Sequence, residues 1–238
     1  MGGVNWPGAS FNPETGIFYT QAYNSSVGAG ALAPEYFEKI KPEANPKHIA
    51  IWEAEGFAQP GFEAPNTSGY RSPGQGGGGG GANPFTAGLG GLPIIKPPYG
   101  VITALDMNTG TLKWQVPHGD TPDAVRNSPL LKGLTIPKTG QQGIVGPVLT
   151  KTLVIVGDPQ VTASPDRPRG AMLRAYDQQT GKEVGAVYMP SAQSGNPMTY
   201  MVDGRQYIVV AVGGGTYSSE YIAFALPQSE IKKTTTER

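Results

Sequence analysis

Cysteine is absent from the 238 residues, so no disulfide staples this chain and no particular redox compartment is required. Histidine is scarce as well, with only His48 and His118 present. Zinc in proteins is held mainly by cysteine and histidine side chains, so the composition argues against a zinc site. A chain without cysteine is compatible with export from the cytoplasm.

Charge is scarce and balanced. Asp, Glu, Lys and Arg make up 15% of the residues, with 18 acidic and 18 basic side chains. Proteins that bind nucleic acid or an anionic membrane surface present an excess of positive charge. We therefore expect no nucleic-acid partner.

Long apolar runs are missing too. No segment approaches the ~18 consecutive apolar residues of a membrane-spanning helix. The first six residues have neither the basic nor the apolar region of a signal peptide. Either the protein is cytoplasmic, or the chain begins within a domain and any targeting segment lies upstream. We expect the second alternative.

Short β-type segments dominate what is present. Asn12–Gly16 and Asp203–Gly204 carry the Pro and Gly signals of tight hairpins between aromatic and β-branched residues. Residues 99–238 show no sustained helical period, which favours an all-β sandwich, barrel or propeller. The predicted strands are Ala9–Phe11, Ile17–Thr20, Val101–Asp106, Leu112–Val116, Val145–Thr150, Leu153–Val156, Met172–Asp177, Val184–Met189, Pro197–Val202, Tyr207–Val212 and Tyr221–Leu226.

Glycine and proline are frequent, at 35 and 23 residues, and they are unevenly spread. The run Gly76–Gly81 has no side chains to bury and a high backbone entropy to lose. It lacks the Lys-Ser/Thr of a phosphate-binding loop, so we interpret it as part of a disordered insertion around residues 60–95. Residues 1–238 are then one domain, with a short helix near Pro34–Ile40 and a frayed tail at Lys232–Arg238.

A repeated motif gives the architecture. Ala104 and Ala175 each begin the pattern Ala-x-Asp-x-x-Thr-Gly, in which the Asp side chain caps a turn and Gly takes a positive φ. The two copies lie farther apart than the ~40–50 residues of one propeller blade. We therefore predict an insertion at residues 120–143 and a propeller of repeated antiparallel sheets.

The two copies differ at one position. Trp114 follows the first motif, whereas Gly185 stands at the corresponding place in the second. We expect Trp114 to pack between sheets, because Ala104 and Gly110 leave room for a neighbouring indole. The second blade should be held less firmly.

Ala-x-Asp-x-x-Thr-Gly-x-x-x-Trp resembles the tryptophan-docking repeat of quinoprotein dehydrogenases. Three further stretches resemble the last third of the membrane-type glucose and alcohol dehydrogenase branch: Gly2–Pro13, Pro97–Gly100 and Asn196–Pro227. The resemblance implies a C-terminal part of that fold, about three four-stranded blades of an eight-bladed β-propeller. The branch that oxidises glucose has a His after a glycine pair where this sequence has Gly215, which points away from glucose.

This resemblance also implies a chemistry. The family oxidises an alcohol or sugar hydroxyl with pyrroloquinoline quinone and Ca²⁺, and electrons leave to a respiratory quinone or a cytochrome. Its members work in the bacterial periplasm, and some are anchored by N-terminal membrane helices. The general base and the Ca²⁺ ligand belong to earlier blades, so no catalytic or metal-binding residue maps onto this sequence.

Two residues carry over as cofactor-binding candidates, Asn5 and Trp6. An Asn amide donates hydrogen bonds to quinone or carboxylate oxygens, and an indole supplies a flat apolar wall. Trp6 is alternatively a core residue between blades. Gly143–Pro147 matches a family segment that approaches the cofactor.

The remaining polar residues have simpler interpretations. We expect His118 to be an exposed loop residue and Asp120 and Asp123 to be solvated or paired loop carboxylates. Asp158–Gly170 is rich in proline and predicts a solvated turn.

Three hypotheses therefore stay open. The chain contributes blades to a dehydrogenase, with the remaining blades supplied elsewhere; or it is a non-catalytic propeller scaffold; or several copies associate to close a ring.

Overall fold

Residues 7–24, 92–93, 95–214 and 217–226 are described by the computed structural model of the chain. They form three antiparallel sheets, in each of which the strands run in nearly sequential order. The strands are β1 (Ala9–Asn12), β2 (Ile17–Tyr23), β3 (Gly100–Asp106), β4 (Thr111–Pro117), β5 (Val148–Leu149), β6 (Leu153–Gly157), β7 (Thr162–Ser164), β8 (Arg167–Asp177), β9 (Glu183–Met189), β10 (Met198–Val202), β11 (Arg205–Gly214) and β12 (Tyr217–Ala225).

The first sheet has the order β1-β2-β3-β4. Its last hairpin is the first copy of the repeat. The Asp106 carboxylate accepts a hydrogen bond from the Asn108 backbone N–H at 2.8 Å, and Gly110 closes the turn with a φ of +70°. The sequence motif therefore forms the predicted turn.

The second sheet places β5, β6, β8 and β9 side by side, and the short β7 pairs with the beginning of β8. Its last hairpin is the second copy of the repeat, in which Asp177 accepts hydrogen bonds from the Gln179 and Thr180 backbone N–H groups. In the register, Gly185 stands opposite Ala175 as Trp114 stands opposite Ala104. The alignment of the two repeats is thus confirmed.

The third sheet contains β10, β11 and β12 within the described residues, one strand fewer than the four predicted for a blade. Asp203 and Gly204, both with positive φ, form the tight β10–β11 hairpin expected from the Asp-Gly pair. The prediction of an all-β propeller of antiparallel blades, about three in number, is confirmed.

The sheets stack face to face, and side chains that alternate along β6 are divided between two cores. Val154 and Val156 pack toward the first sheet, whereas Ile155 packs toward the third. The first core consists of Ile17, Tyr19, Ile102, Ala104, Trp114, Val145, Val154, Val156 and Tyr176. The second consists of Ile155, Ala171, Leu173, Met189, Val210 and Val212.

Trp114 joins the first sheet to the second. Its Nε1 donates a hydrogen bond of 2.9 Å to the backbone oxygen of Gln178, inside the second repeat turn. The indole lies against Gly181, where an added Cβ would come within 2.6 Å of a ring carbon. Trp114 therefore packs between sheets as predicted, and Gly181 is the glycine that receives it. Gly110 has no atom within 4 Å of an added Cβ.

Several predictions are corrected in detail. The strand expected at Val145–Thr150 is shortened to Val148–Leu149, because the chain before it is held in a different set of contacts, described below. The turn expected at Asp158–Gly170 instead contains β7 and the start of β8, with Pro168 near the edge of the sheet, where a missing N–H is tolerated. The predicted insertion at residues 120–143 carries one short helix, α1 (Asp123–Arg126), and a 3-10 turn at Pro129–Leu131.

Other predictions fall elsewhere in the chain. The helix near Pro34–Ile40, most of the insertion around residues 60–95, Gly215 and the tail Lys232–Arg238 lie outside the described residues. In the part of the chain that the structure describes, no helix has the length and apolar character needed to cross a membrane.

Candidate functional site

The segments that lead into the first strand of each sheet meet at one place. β1, β5 and β10 are the edge strands with which the three sheets begin, and the chain just before each of them is irregular. We call this meeting point the inner corner and define it as Pro7, Gly146, Pro147, Gln193 and Asn196. In a propeller the blades surround a central channel, which makes the corner shared by the first strands the candidate site.

Side chains hold the inner corner together by three hydrogen bonds. Ser10 Oγ, on β1, donates to the Pro147 carbonyl at 2.7 Å. Asn196 Nδ2 donates to the Pro7 carbonyl at 3.0 Å, and Gln193 Nε2 donates to the Gly146 carbonyl at 2.9 Å. Each bond joins segments of two different sheets, so the corner depends on how the sheets are placed.

Glycine at position 146 is required by this packing. A Cβ there would collide with the Asn196 side chain and come within 2.8 Å of Pro7 Cβ. The contact explains why the segment Gly143–Pro147 stays irregular up to Val148, since its backbone is held by Gln193 and Ser10 rather than by a neighbouring strand.

Asn5 and Trp6, the predicted cofactor-binding pair, lie outside the described residues. Trp6 is bonded directly to Pro7, which does lie at the inner corner, and Gly143–Pro147 reaches the same corner. Sequence reasoning assigned no role to Gln193 or Asn196. Asn196 begins a stretch that resembles the family and precedes Pro197 before a strand, but the partners that give the two residues a role are distant in the chain.

Residues at the inner corner fit an organic quinone in one respect. Their contacts are made by neutral amide and carbonyl groups and by proline rings, and an amide N–H is a suitable donor to quinone oxygens. A hard cation such as Ca²⁺ requires several carboxylate or carbonyl oxygens. Among residues 7–24, 92–93, 95–214 and 217–226, no three His, Cys, Asp or Glu side chains are grouped so as to hold a metal ion.

A second polar cluster lies between the first and second sheets. Arg174, on β8, contacts the Asp158 carboxylate through Nε at 2.6 Å and Nη2 at 3.0 Å, and it reaches Asp120 at 2.8 Å and Glu183 at 2.9 Å. Arg167 adds a contact of 2.9 Å to Asp120. We call these five residues the arginine cluster. The expectation of a solvated turn at Asp158–Gly170 is wrong for Asp158, whose side chain is fully buried.

Burial and neighbouring charges shift the pKa values of Arg174 and Asp120 in the arginine cluster. Burial opposes the charge on Arg174, but the hydrogen bonds and negative charges of Asp158, Asp120 and Glu183 outweigh it and raise the pKa of the guanidinium. Burial likewise favours neutral Asp120, yet Arg174 and Arg167 lower its pKa overall. Every member of the arginine cluster therefore has an ionic partner, so the cluster holds the loop after β4 against β8 and leaves no acid or base free for chemistry.

His118 lies beside the arginine cluster and is completely buried, so the prediction of an exposed loop residue is wrong. Its Nε2 is 3.0 Å from the Gly157 carbonyl, which only accepts, and its Nδ1 is 3.0 Å from the Tyr176 hydroxyl. Nε2 therefore carries the proton, and Nδ1 accepts from Tyr176. Burial, with the nearby charges of Arg174 and Lys138, lowers the pKa of His118 to about 3. The imidazole is a neutral structural link between two sheets.

Comparison with known proteins identifies the family. A sequence model of the pyrroloquinoline quinone "glucose/ethanol/alcohol dehydrogenase, beta-propeller domain" family matches residues 1–208. The chain belongs to this family. This quinoprotein family accounts for the repeat, for the stacked sheets and for the docking of Trp114.

Characterised relatives of this quinoprotein chain oxidise different substrates, as their names state. The quinate/shikimate dehydrogenase (quinone) of Acinetobacter baylyi is 36% identical over 150 residues, 60% of this chain and 17% of that protein. The glycerol dehydrogenase large subunit of Gluconobacter oxydans is 28% identical over 243 residues, 95% of this chain and 28% of that protein. The quinoprotein glucose dehydrogenase of Escherichia coli is 33% identical over 150 residues, 61% of this chain and 18% of that protein.

Among solved structures, the quinohemoprotein alcohol dehydrogenase ADHIIG from Pseudomonas putida HK5 matches with a TM-score of 0.40 and 20% identity, over 89% of this chain and 22% of that one. A europium-containing methanol dehydrogenase matches with a TM-score of 0.38 and 18% identity, over 87% of this chain and 24% of that one. The chain thus spans less than a third of the length of each of these proteins.

Proposed function

We propose that this chain is part of a pyrroloquinoline-quinone-dependent dehydrogenase that oxidises the hydroxyl of a sugar or alcohol and passes electrons to a respiratory quinone or a cytochrome. Membership of the quinoprotein family supports the class of reaction. The chain spans less than a third of the length of its relatives. This supports a chain that contributes blades to a larger ring, as one partial propeller domain over residues 1–238. The proposed location is the periplasm, with any membrane anchor supplied by an N-terminal part.

The observation that carries the proposal is the inner corner. Three first strands begin there, and the predicted pair Asn5–Trp6 is joined to it through Pro7. The chain's own part in the reaction would be to bind and orient: Asn5 donates a hydrogen bond to an oxygen of the cofactor, and Trp6 covers its ring. When bound, pyrroloquinoline quinone supplies the two-electron acceptor for the hydroxyl that is oxidised.

The experiment is a titration of the purified chain with pyrroloquinoline quinone and Ca²⁺, followed by tryptophan fluorescence. With the remaining blades of the ring supplied, we expect saturable quenching in the wild type and its loss in Asn5→Ala and Trp6→Phe. Asn108→Ala is the control, because Asn108 is an exposed Asn at the turn of the first sheet, away from the inner corner. Equal quenching in all four proteins would contradict the proposed role of Asn5 and Trp6.

A non-catalytic propeller scaffold is the second candidate. Gly185, exposed and with no atom within 4 Å of an added Cβ, replaces the docking tryptophan in the second repeat. A dye-linked oxidation assay with alcohols and sugars, on the chain supplied with the remaining blades of the ring, separates the two. Turnover supports the dehydrogenase, whereas an assembled ring that neither binds the quinone nor shows turnover supports a scaffold that has lost the cofactor site.

A further inference from the structure

One row of side chains runs across the strands at the same place in all three sheets. In each row a residue of the second strand stands opposite an alanine of the third strand, as Tyr19 opposite Ala104, Ile155 opposite Ala175 and Tyr207 opposite Ala225. On the first strands the rows continue to Ser10, Val148 and Tyr200. The third sheet therefore repeats the plan of the other two sheets as far as its third strand.

In the first two sheets this row faces the next sheet along the chain. Tyr19 and Ala104 belong to the first core, and the Tyr19 hydroxyl donates to the Gln178 carbonyl of the second sheet at 3.1 Å. Ile155 belongs to the second core, and Ala175 packs against that core. The row is thus the surface with which each of these sheets contacts the sheet that follows it.

In the third sheet the same row points away from the second sheet. The side chains that pack on the second core are those of Ile208, Val210, Val212, Ile222 and Phe224. Successive side chains of a strand point to opposite faces, so Tyr207 and Ala225 lie on the other face. We call this other face the successor face and define it by the register as Met198, Tyr200, Tyr207, Val209, Ala211, Tyr221, Ala223 and Ala225.

The successor face has the composition of an interface. Met198, Tyr200 and Tyr221 are exposed although they are large and apolar or aromatic. Tyr200 and Tyr207 stack with 5.3 Å between their ring centroids, and the guanidinium carbon of Arg205 lies 5.3 Å from the centroid of the Tyr207 ring. Aromatic residues, Met and Arg are enriched where two protein surfaces meet. The face is therefore suited to contact another protein surface.

We propose that the successor face docks a further antiparallel sheet of the propeller, and that Tyr207 anchors this sheet as Tyr19 anchors the second one. The choice of partner follows from continuity, since the first and second sheets use the same row for the same contact. In that role the Tyr207 hydroxyl donates to a backbone carbonyl of the incoming sheet. The inference rests on the proposed function, because it names the surface through which the chain joins the rest of the ring.

Two methionines of β10 provide a test within one strand. Met198 lies on the successor face and Met201 on the opposite face, and their side chains are 55% and 61% exposed. The probe is the glycerol dehydrogenase large subunit of Gluconobacter oxydans without the part that this chain matches, used to supply the remaining blades. In the chain alone, hydrogen peroxide should oxidise both methionines at similar rates. With the probe in excess, we expect the oxidation of Met198 to be lost and that of Met201 to continue, as read by peptide mass spectrometry.

The part removed from that relative is the positive control, because its binding shows that the probe can assemble. Continued oxidation of Met198 in a chain that has bound the probe would overturn the inference. Failure of this chain to bind a probe that binds its own missing part would also overturn it.

Substitutions on the two faces give a second readout. Met198→Lys places a charge in the proposed contact and should weaken binding of the probe about tenfold or more, whereas Met201→Lys should leave it unchanged. Both methionines are exposed, so neither change should lower the melting temperature of the chain alone. Equal affinities for the two variants would contradict the proposed face.

Tyr207→Phe tests the anchor itself. Loss of one hydrogen bond predicts about three- to tenfold weaker binding of the probe. Tyr188→Phe is the control and should bind normally, because the Tyr188 hydroxyl donates to the Arg169 carbonyl within this chain. Equal affinities for these two variants would remove Tyr207 as the anchor.

Light scattering of the chain alone identifies a competing partner. A dimer in which Met198 is protected would show that a second copy covers the successor face, and the proposed partner would be wrong. The proposed function is tested separately, by quinone binding and turnover of the assembled ring. Protection of Met198 without either would contradict the function and leave the docking face standing, whereas turnover with Met198 freely oxidised would do the reverse.

Discussion

The two interfaces between stacked sheets are built differently. Between the first and second sheets, Trp114 and Tyr19 both donate to the Gln178 carbonyl, at 2.9 and 3.1 Å, and His118 bridges to Tyr176. Between the second and third sheets, the core consists of aliphatic side chains and Met189, and polar bridging is concentrated at Gln193 near the first strands. Hydrogen bonds between side chains and backbone groups therefore cross the interface of the first and second sheets. The interface of the second and third sheets is held mainly by buried apolar side chains.

This difference follows from a single repeat position. Trp114 on β4 reaches the neighbouring turn at Gly181, whereas Gly185 on β9 has no side chain to reach the third sheet. The outer strand of the second sheet is exposed, with Val184 56% and Val187 46% accessible. Apolar side chains and Gln193 join the third sheet to the second although the docking tryptophan is replaced by Gly185.

The largest effect is expected for Trp114→Ala. The substitution removes a buried indole from the first core and its bond to Gln178, so we expect the free energy of unfolding to fall by about 3–5 kcal/mol. Chemical denaturation monitored by circular dichroism measures it. A loss below about 1 kcal/mol would mean that the first interface does not depend on the indole.

Met189→Ala probes the other interface at a residue of similar burial, since Met189 is 0% exposed. We expect a loss of about 2–4 kcal/mol in the free energy of unfolding, from the lost burial of the side chain together with the cavity it leaves. In a native-state proteolysis series, this variant should release the third sheet while the first and second stay resistant. Simultaneous cleavage of all three sheets would show that the two interfaces are not independent.

The pH dependence of stability should come from the first interface. Below pH 6.5 the unfolded chain protonates His118, but the folded chain keeps it neutral down to about pH 3, so the free energy of unfolding falls as the pH falls through this window. The contribution is about 1.4 kcal/mol per pH unit, or about 2 kcal/mol between pH 6.5 and 5.

His118→Asn should be less stable at pH 7 and should lack this part of the slope, with Asp120, Arg174 and Lys138 unchanged around it. Urea unfolding at several pH values measures the difference. Parallel pH profiles for the two proteins would show that folding does not lower the pKa of His118.

The smallest effect is expected for alanine substitutions at two glycines that occupy the same position in the two repeat turns. Gly181 and Gly110 have φ values of +72° and +70°, so alanine at either position carries a similar backbone cost of about 1 kcal/mol. Only at Gly181 would the new Cβ meet Trp114, which should add about 1–2 kcal/mol of destabilisation. Thermal unfolding of Gly181→Ala and Gly110→Ala should show this gap, and equal losses would exclude close docking of the indole.

The sequence was sufficient to predict those parts of the fold that are held by contacts between residues close together in the chain. The Asp-x-x-Thr-Gly turns are closed by groups within the turn itself, and the alignment of Trp114 with Gly185 follows from the register of the hairpins.

The features that the sequence did not predict depend on contacts between residues that are far apart in the chain. His118 follows a proline in a loop-like setting, but its burial comes from Tyr176 and Gly157, brought there by another sheet. Asp158 stands in a proline-rich segment, yet Arg174 draws it into the interface. Asn196 acquires a role only because Pro7 lies beside it after folding, and no local pattern indicates that contact.

The most direct measurement is native-state hydrogen exchange of the chain, read by mass spectrometry as the opening free energy of amides in β3, β8 and β11. Since polar links join the first and second sheets and burial holds the third, amides of β11 should open at a lower free energy than those of β3 and β8, which should open together. Protection of β11 equal to or greater than that of β3 and β8 would contradict the contrast between the two interfaces.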